Sequence, residues 1–432
     1  MKWIRQGLSR VFKKHSDSSP RTTPRCDHRI SRNLISPNAL KVLYRLNSAG
    51  YSAYLVGGGV REILLDRKPK DFDVATNATP EQLVRLFRNS RMIGRRFRLV
   101  HVFFHGEVIE VSTFRAEVQD DEEQDENVYG TIEEDAWRRD FSINALYYNI
   151  ADFSVVDYVG GMNDLRQRTI RMIGDPAQRF HEDPVRLLRA IRFAAKLDFR
   201  LHTDTEAALR ALPHLLRHVA PARLFQEVLK LFLEGNAYVT YRKLQQYDYF
   251  AALFPHSASA MQIRNNSMDD KLLAAVMRAT DERLSKNLPI NPAFLFASFM
   301  WPKLQQLIDQ YRSDHAKFHQ QFHHAVSDIL RLQEETVVVP RRIIAMARAI
   351  WTLQFHLENR RASRVYRVLE HRYFRAAYDF LALRVESGEP LDECYQWWRE
   401  IQTASAERKE EMRQDFMSRP ARQAKNGKSK GD

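Results

Sequence analysis

The stretch "LVGGGVREILLDRKPKDFDV" (residues 55–74) decides how the rest of the chain is read. An apolar run, SAYLV, enters the glycine triplet Gly57-Gly58-Gly59, and a second run, KDFDVAT, alternates charged and apolar residues. Period-two alternation predicts a strand, so Asp71 and Asp73 share one face and Phe72 and Val74 take the other. Two adjacent anions repel, and a divalent cation is a common reason for keeping them. Mg²⁺ takes one or two carboxylates and draws its other oxygens from substrate phosphates. The glycines allow backbone N–H groups to approach an anion with no Cβ in the way, and Arg61 and Lys70 add positive charge nearby. The stretch is no Walker A loop, because GK[ST] is missing, and no dinucleotide fingerprint, because GxGxxG is missing. An exposed edge strand after a turn would explain the glycines but not the aspartates.

Around this stretch the chain reads as an α+β head. NALKVLYRLNSAGY, after Pro37, has helical apolar spacing and stops at Gly50. TPEQLVRLFRN opens with Thr79 as N-cap, Pro80 in the first turn and Gln82 placed for a capping box. FRLVHVFFHG and EVIEVSTFR form two β-rich runs that meet at His105-Gly106, a hairpin signal. RRDFSINALYYNI is expected to start as a helix and run into a strand, and SVVDYVGGMNDLRQRTIRMI to be strand, glycine turn and strand. After about residue 176 strand signals fade, and amphipathic helices over 183–197, 204–216, 222–234 and on through 383 predict an all-helical remainder. The expected divisions are a polar, poorly ordered extension (1–36), a catalytic head (37–175), a helical neck (176–240), a helical body (241–400) and a basic tail (401–432).

The chain has 432 residues and a net charge of +13. Residues 1–32 carry nine basic and two acidic side chains and residues 417–432 five and one, so the ends hold 11 of that excess. A basic surface of this kind suits a polyanion, nucleic acid or an anionic membrane. Met1, Ile4, Leu8 and Phe12 fall at helical spacing between basic residues, which would give the N-terminus at most a weak membrane-surface contact. Cys26 and Cys394 are far apart and make no metal spacing, as expected in a reducing cytosol. No apolar run is long enough to predict a transmembrane helix. Residues 117–126 hold seven acids and read as a surface loop, whereas Arg88–Arg98 holds five arginines and no acid, a candidate track for phosphates. Tyr129, Trp137 and Tyr147 are expected in the core.

A two-metal centre needs a further carboxylate beside Asp71 and Asp73. Asp140, in RRDFSINAL, and Glu110, in EVIEVSTFR, are the candidates. Glu110 lies on a predicted strand among apolar neighbours, where an unpaired charge is costly. Asp140 could equally be a helix N-cap.

LVGGGVREILLDRKPKDFDV, RRDFSINAL, DYVGGMNDL and EDPVRLLRA occur in this order and together resemble the head of the class II nucleotidyltransferases, the family of bacterial CCA-adding enzymes and poly(A) polymerases. The likeness is strong over residues 37–235. GRRFRLVHV (residues 94–102), NPAFLFASF and FRAAYDFLALR resemble the polymerase branch and extend it to about residue 400. Two positions depart from the family pattern: Arg61-Glu62 stands for Arg-Asp, and Asp66 for a glycine. The resemblance implies a polymerase β-like nucleotidyltransferase head with a mixed sheet, followed by an all-α neck, body and tail. It implies ATP-dependent, template-independent addition of AMP to RNA 3′ ends in the cytoplasm, in the service of RNA processing and decay, with RNA-decay proteins as partners. Asp71 and Asp73 would bind two Mg²⁺ ions, or Mn²⁺ in their place, and Asp140 would complete the catalytic set. Gly57, Gly58, Arg61 and Arg139 would hold the triphosphate. The alternatives are CCA addition to tRNA and, in another class, a non-catalytic RNA-binding protein.

HEDPVRLLRAIRFAAKL (181–197) is expected as a helix with Leu187, Leu188, Ile191, Ala194 and Ala195 on its core face and Asp183, Arg186 and Arg189 opposite. Read on its own, Asp183 could simply cap the helix. The family resemblance implies that Asp183 and Arg186 imitate a complementary base, with Arg189 beside them in the nucleotide-binding set. A carboxylate accepts from adenine's amino group and a guanidinium donates to its ring nitrogen. Guanine and uracil present the reverse pattern, and unmade buried hydrogen bonds discriminate strongly. Cytosine presents the same pair as adenine, so these side chains alone do not separate poly(A) synthesis from CCA addition.

Overall fold

The computed structural model describes residues 19–94, 98–116, 129–263, 267–311, 318–360 and 362–418. The Met1–Phe12 pattern, the acidic run 117–126 and Arg95 and Arg96 lie outside them. The chain divides into two compact units, Met1–Leu212 and Pro213–Asp432. The division falls inside the expected neck, so the helix carrying Arg186 belongs with the head.

The first unit is built on a mixed eight-stranded sheet. Its strands are β1 (Arg21–Thr23), β2 (Ala53–Val56), β3 (Asp73–Thr76), β4 (Ser90–Ile93), β5 (Leu99–Phe104), β6 (Glu107–Thr113), β7 (Leu146–Asn149) and β8 (Val155–Asp157). They lie in the order β1-β8-β7-β2-β3-β6-β5-β4. β3 and β6 run parallel and the other neighbours antiparallel. β1 corrects the expectation of a poorly ordered 1–36: Arg21–Thr23 pair with β8, and Ile30 and Ile35 are buried. A short edge strand carries too little apolar pattern to be read from sequence.

One sheet face is packed by α1 (Pro37–Ser48). Ser36 caps it by accepting from the Asn38 and Ala39 N–H groups, and Ala39, Val42, Leu43 and Leu46 make its buried stripe. Val74, Val100, Val102, Ile109 and Val111 are fully buried, the strand residues that alternate with Asp73, His101 and Glu110. α2 (Gly58–Leu64) follows β2 directly, and α3 (Pro80–Leu86) opens with the expected Thr79–Gln82 capping box. The β5–β6 hairpin turns at Gly106, φ +75°.

Two readings need correction. RRDFSINAL does not start a helix; α4 (Ile132–Trp137) ends before it, and Ser142–Asn144 make one 3-10 turn into β7. Between the two expected strands of SVVDYVGGMNDLRQRTIRMI lies a helix as well as a turn: α5 (Gly161–Arg166) follows β8, and Thr169–Ile170 form the second strand. The Asp157 carboxylate causes that turn. Its Oδ1 accepts from the N–H groups of Val159, Gly160 and Gly161 at 2.8–3.1 Å, and its Oδ2 from Met162 at 2.9 Å. Gly161 is required because a Cβ there would lie 2.2 Å from the Ser142 carbonyl oxygen. α6 (Pro176–Glu182) and α7 (Val185–Leu197) follow, and the five core positions expected on α7 are all buried.

The regular elements of the second unit among its described residues are all helical and reach Ser418, so the expected basic tail begins with a helix, Ala406–Ser418. Phe254, Phe296 and Phe299 form its aromatic centre, with ring centroids 4.6 Å apart for Phe254 and Phe299. Arg384 is buried among Glu358, Glu389 and Gln354 and stacks on Trp301.

Candidate active site

The site forms where β2 ends, β3 and β6 run side by side, and α4 gives way to the RRD segment. Gly57 leaves β2 with φ 69° and ψ −135°, a conformation open to glycine and strained for any other residue. A Cβ on Gly57 would stand 3.5 Å from Asp73 Oδ2 and 3.8 Å from Arg139 Nη1. The bare backbone of Gly57, the Asp73 carboxylate and the Arg139 guanidinium therefore converge. A Cβ on Gly58 would lie 3.7 Å from Arg61 Nη2.

The ladder sets the carboxylates. Asp73 pairs with Glu110 across the parallel strands, and Glu110 with His101 across the next pair, so the three share one face. Asp71 precedes the strand and is exposed. Burial pushes the Asp73 carboxyl up, and the negative charges of Glu110 and Asp71 push it further, to about 6, against the pull of Arg139. The three carboxylates thus crowd one another. Among the described residues no three His, Cys, Asp or Glu side chains form a ready-made metal site. A repelling trio beside a cation suits Mg²⁺ that arrives with substrate phosphates as ligands. The donor chemistry fits that ion.

Arg139 is aimed by a buried network. Its Nε and Nη2 donate to Asp135 Oδ2 at 3.1 and 2.9 Å, and its Nε also to the Tyr147 hydroxyl at 2.8 Å, which itself donates to Asp135. Burial disfavours its charge, but Tyr147 and Asp135 more than offset this and raise its pKa. Asp135 was not anticipated, although its spacing of three and four from Arg138 and Arg139 on a capped helix is a legible signal. Tyr147 is buried as expected, whereas Tyr129 is exposed, contrary to expectation.

Asp140 stands in different surroundings from those expected. Its Oδ2 accepts from Arg189 Nε at 2.7 Å and Nη2 at 2.5 Å, and its Oδ1 from Asn144 Nδ2 and the Phe141 N–H. Burial alone would raise its pKa; Arg189 and these hydrogen bonds overcome that and lower it. It ties the RRD segment to α7. Arg189 is correspondingly engaged with Asp140 and lies over Phe193. Arg61 is also a brace: buried, it donates to Asn144 and Glu62 and stacks over Phe193 at 5.0 Å. Asp66, at the family's glycine position, takes φ 56°, a conformation Asp tolerates better than most residues, and pairs with Arg29.

Asp183 and Arg186 sit at the α6–α7 junction. Asp183 Oδ1 accepts from the Val185 N–H at 3.2 Å. Arg186 Nη1 donates to Glu182 Oε2 and the Arg179 carbonyl oxygen, both at 2.8 Å, so its carboxylate partner is Glu182. Arg179 in turn donates to the carbonyls of Arg138 and Arg139, joining α6 to the RRD segment.

Comparison with known proteins agrees with this arrangement. Residues 53–171 match the family described as "Poly A polymerase head domain", residues 198–261 "Probable RNA and SrmB- binding site of polymerase A", and residues 314–431 "Polymerase A arginine-rich C-terminus". Poly(A) polymerase I of Salmonella typhi is 45% identical over 414 residues, 92% of this chain and 89% of that protein. Poly(A) polymerase I of Escherichia coli O157:H7 is 47% identical over 398 residues, 88% and 86% of the two chains. A CCA-adding enzyme of Lactobacillus helveticus is 41% identical over 196 residues, 45% of this chain and 49% of that protein. Among solved structures, the Thermotoga maritima CCA-adding enzyme complexed with tRNA has TM-score 0.59 and 21% identity, covering 89% of this chain and 88% of that one. Its likeness is one of fold. With near-full-length identity to poly(A) polymerases and about half-length identity to a CCA-adding enzyme, the chain belongs to the bacterial poly(A) polymerase I family of class II nucleotidyltransferases.

Proposed function

We propose that this chain carries out template-independent polyadenylation at the Asp71–Asp73–Glu110 cluster, transferring AMP from ATP to an RNA 3′-hydroxyl with release of pyrophosphate. The observation that carries the site assignment is the Asp73–Glu110 register, with Asp73 pushed up to about 6 by its neighbours. Two Mg²⁺ ions, held by Asp71, Asp73 and Glu110, would supply Lewis-acid stabilisation of the attacking and leaving oxygens. Glu110 takes the role expected of Asp140. The Gly57 turn lets the triphosphate approach the backbone, and Arg139, fixed by Asp135 and Tyr147, balances its charge. Asp140, Arg189 and Arg61 position these groups from behind.

Asp183 and Arg186 would read the base. Among the described residues the hydrogen bonds of Arg186 run from Nη1, which leaves Nη2 and Nε to donate to a ring nitrogen. RNA binding by residues 198–261, and a protein partner there, are supported by the matched segment's description as a probable RNA and SrmB binding site, and a partner in RNA decay belongs to the same proposal. A cytoplasmic setting belongs to the same proposal; no helix among the described residues is long and apolar enough to cross a membrane.

The test is single-nucleotide extension of an RNA primer by purified protein. Asp73→Ala and Glu110→Gln are expected to lose extension at least a hundred-fold with RNA binding retained, while Asp140→Asn lowers thermal stability. Wild-type extension rates in Glu110→Gln would remove that residue from the centre. Efficient addition of two nucleotides from CTP to a tRNA lacking CCA would overturn the polymerase reading.

A further inference from the structure

On the same sheet face, next to the carboxylates, lies an apolar pair with no part in the site described so far. Phe103 of β5 and Val108 of β6 are directly paired in the hairpin, and they are 43% and 45% exposed. The register places them on the face of Asp73, Glu110 and His101, because Phe103 is two residues from His101 and Val108 two from Glu110. The His101 ring meets the Phe103 ring edge-on at 6.1 Å and approaches Glu110 at 3.6 Å. Beyond β5, Arg91 of β4 pairs with His101 on the same face and is exposed. An exposed aromatic beside a β-branched residue, with an arginine on the same face, is a surface that a bound partner can cover.

The order of groups across the sheet says what that is. Gly57 and Arg139, the triphosphate side, lie at the end of β2 and beside β7; Asp73 follows on β3, Glu110 on β6, and His101 and Phe103 on β5. In an in-line displacement the attacking oxygen and the leaving group lie on opposite sides of the transferred phosphorus. With pyrophosphate leaving toward Gly57 and Arg139, the RNA must enter from the β6–β5 side. Phe103 stands about 8 Å from Glu110 by strand and residue spacing, within reach of the last nucleotides before the 3′ end.

We propose that the exposed face of β4–β5–β6 is the track of the RNA acceptor end. Phe103, backed by Val108 and His101, is the platform on which a base next to the 3′ terminus stacks, and Arg91 meets the phosphate of that strand. Aromatic stacking tolerates any base, and phosphate contacts carry no sequence information, so this track accepts RNA ends without choosing among them. The assignment rests on the reading of the carboxylate cluster as the transfer centre. It makes Phe103 a binding residue for the acceptor and gives it no role in ATP binding.

The test uses the full chain with 5′-labelled octa-adenylate, short enough to limit contacts elsewhere. Phe103→Ala should raise the KM for this RNA, and its Kd by anisotropy, about ten-fold, in the range that loss of one base–aromatic stack produces. The KM for ATP should stay within two-fold and the melting temperature unchanged, since the side chain is exposed. Phe103→Trp should restore RNA binding, and Arg91→Ala should weaken it in a salt-dependent way. RNA KM and Kd within two-fold of wild type in Phe103→Ala would overturn the proposal, as would a rise confined to the KM for ATP. If the wild-type chain binds the RNA but adds no AMP, the polymerase reading fails, while an about ten-fold rise of Kd in Phe103→Ala still supports the track.

Discussion

Asp73 is strained when ionised. Its carboxyl is held at about 6 by burial, Glu110 and Asp71, against an ordinary value of 3.8. A raised pKa means that the folded state holds the proton more tightly than the unfolded one. The associated stability is present below about pH 4 and is lost as pH rises through 6, a cost of roughly 3 kcal/mol at neutral pH. In a chelator, Asp73→Asn should therefore melt higher than wild type at pH 8, and the difference should vanish near pH 4; a gap of the same size at both values would show that the charge is not the cause. The glycine turn and the strand from Asp73 were legible at this scale from short-range pattern, whereas Asp71 falls just before that strand and Arg139 entered only through the family resemblance. The surroundings of Asp140 were not legible, because its partner, Arg189, lies 49 residues away and nothing local announces it.

Elements carry the next level. The Asp157 carboxylate takes four backbone N–H groups and so holds the turn that seats α5 against the Ser142 carbonyl. Asp157→Ala strands those donors in a buried turn, which should cost about 3 kcal/mol and lower extension by loosening Asn144 and Asp140 behind the site. Circular dichroism melts and extension rates check this together; unchanged stability would make the turn self-sufficient. The helices were readable because capping boxes and apolar stripes are local, as at Thr79–Gln82 and on α7. The partnership of Glu110 with Asp73 was not, because register between distant strands is decided by the whole sheet.

At the scale of the molecule, two units of similar size divide the work, and the sequence foretold their character better than their boundary. A switch from alternating to helical periodicity marks where strands stop, yet α6 and α7 bind back to the RRD segment through Arg179 and Arg189 and so join the first unit. Among its described residues the second unit buries the cation of Arg384. Arg384 is 3% exposed and satisfied by Glu358, Glu389 and Gln354. Arg384→Ala leaves two carboxylates facing each other without it and should destabilise this unit by about 3–5 kcal/mol. Hydrogen exchange should then quicken across residues 213–418 while the β3–β6 ladder stays protected; equal loosening of both would mean that the units unfold together.

The parallel pairing of β3 with β6 has a further consequence. Parallel neighbours cannot be joined by a tight turn, so the chain must run through α3, β4 and β5 before Glu110 reaches Asp73. Closing that crossover requires non-local contacts, which form slowly. On the proposed carboxylate centre, catalytic competence should therefore be among the last properties regained on refolding, and a nascent chain that has not yet laid down β6 would hold Asp71 and Asp73 without Glu110.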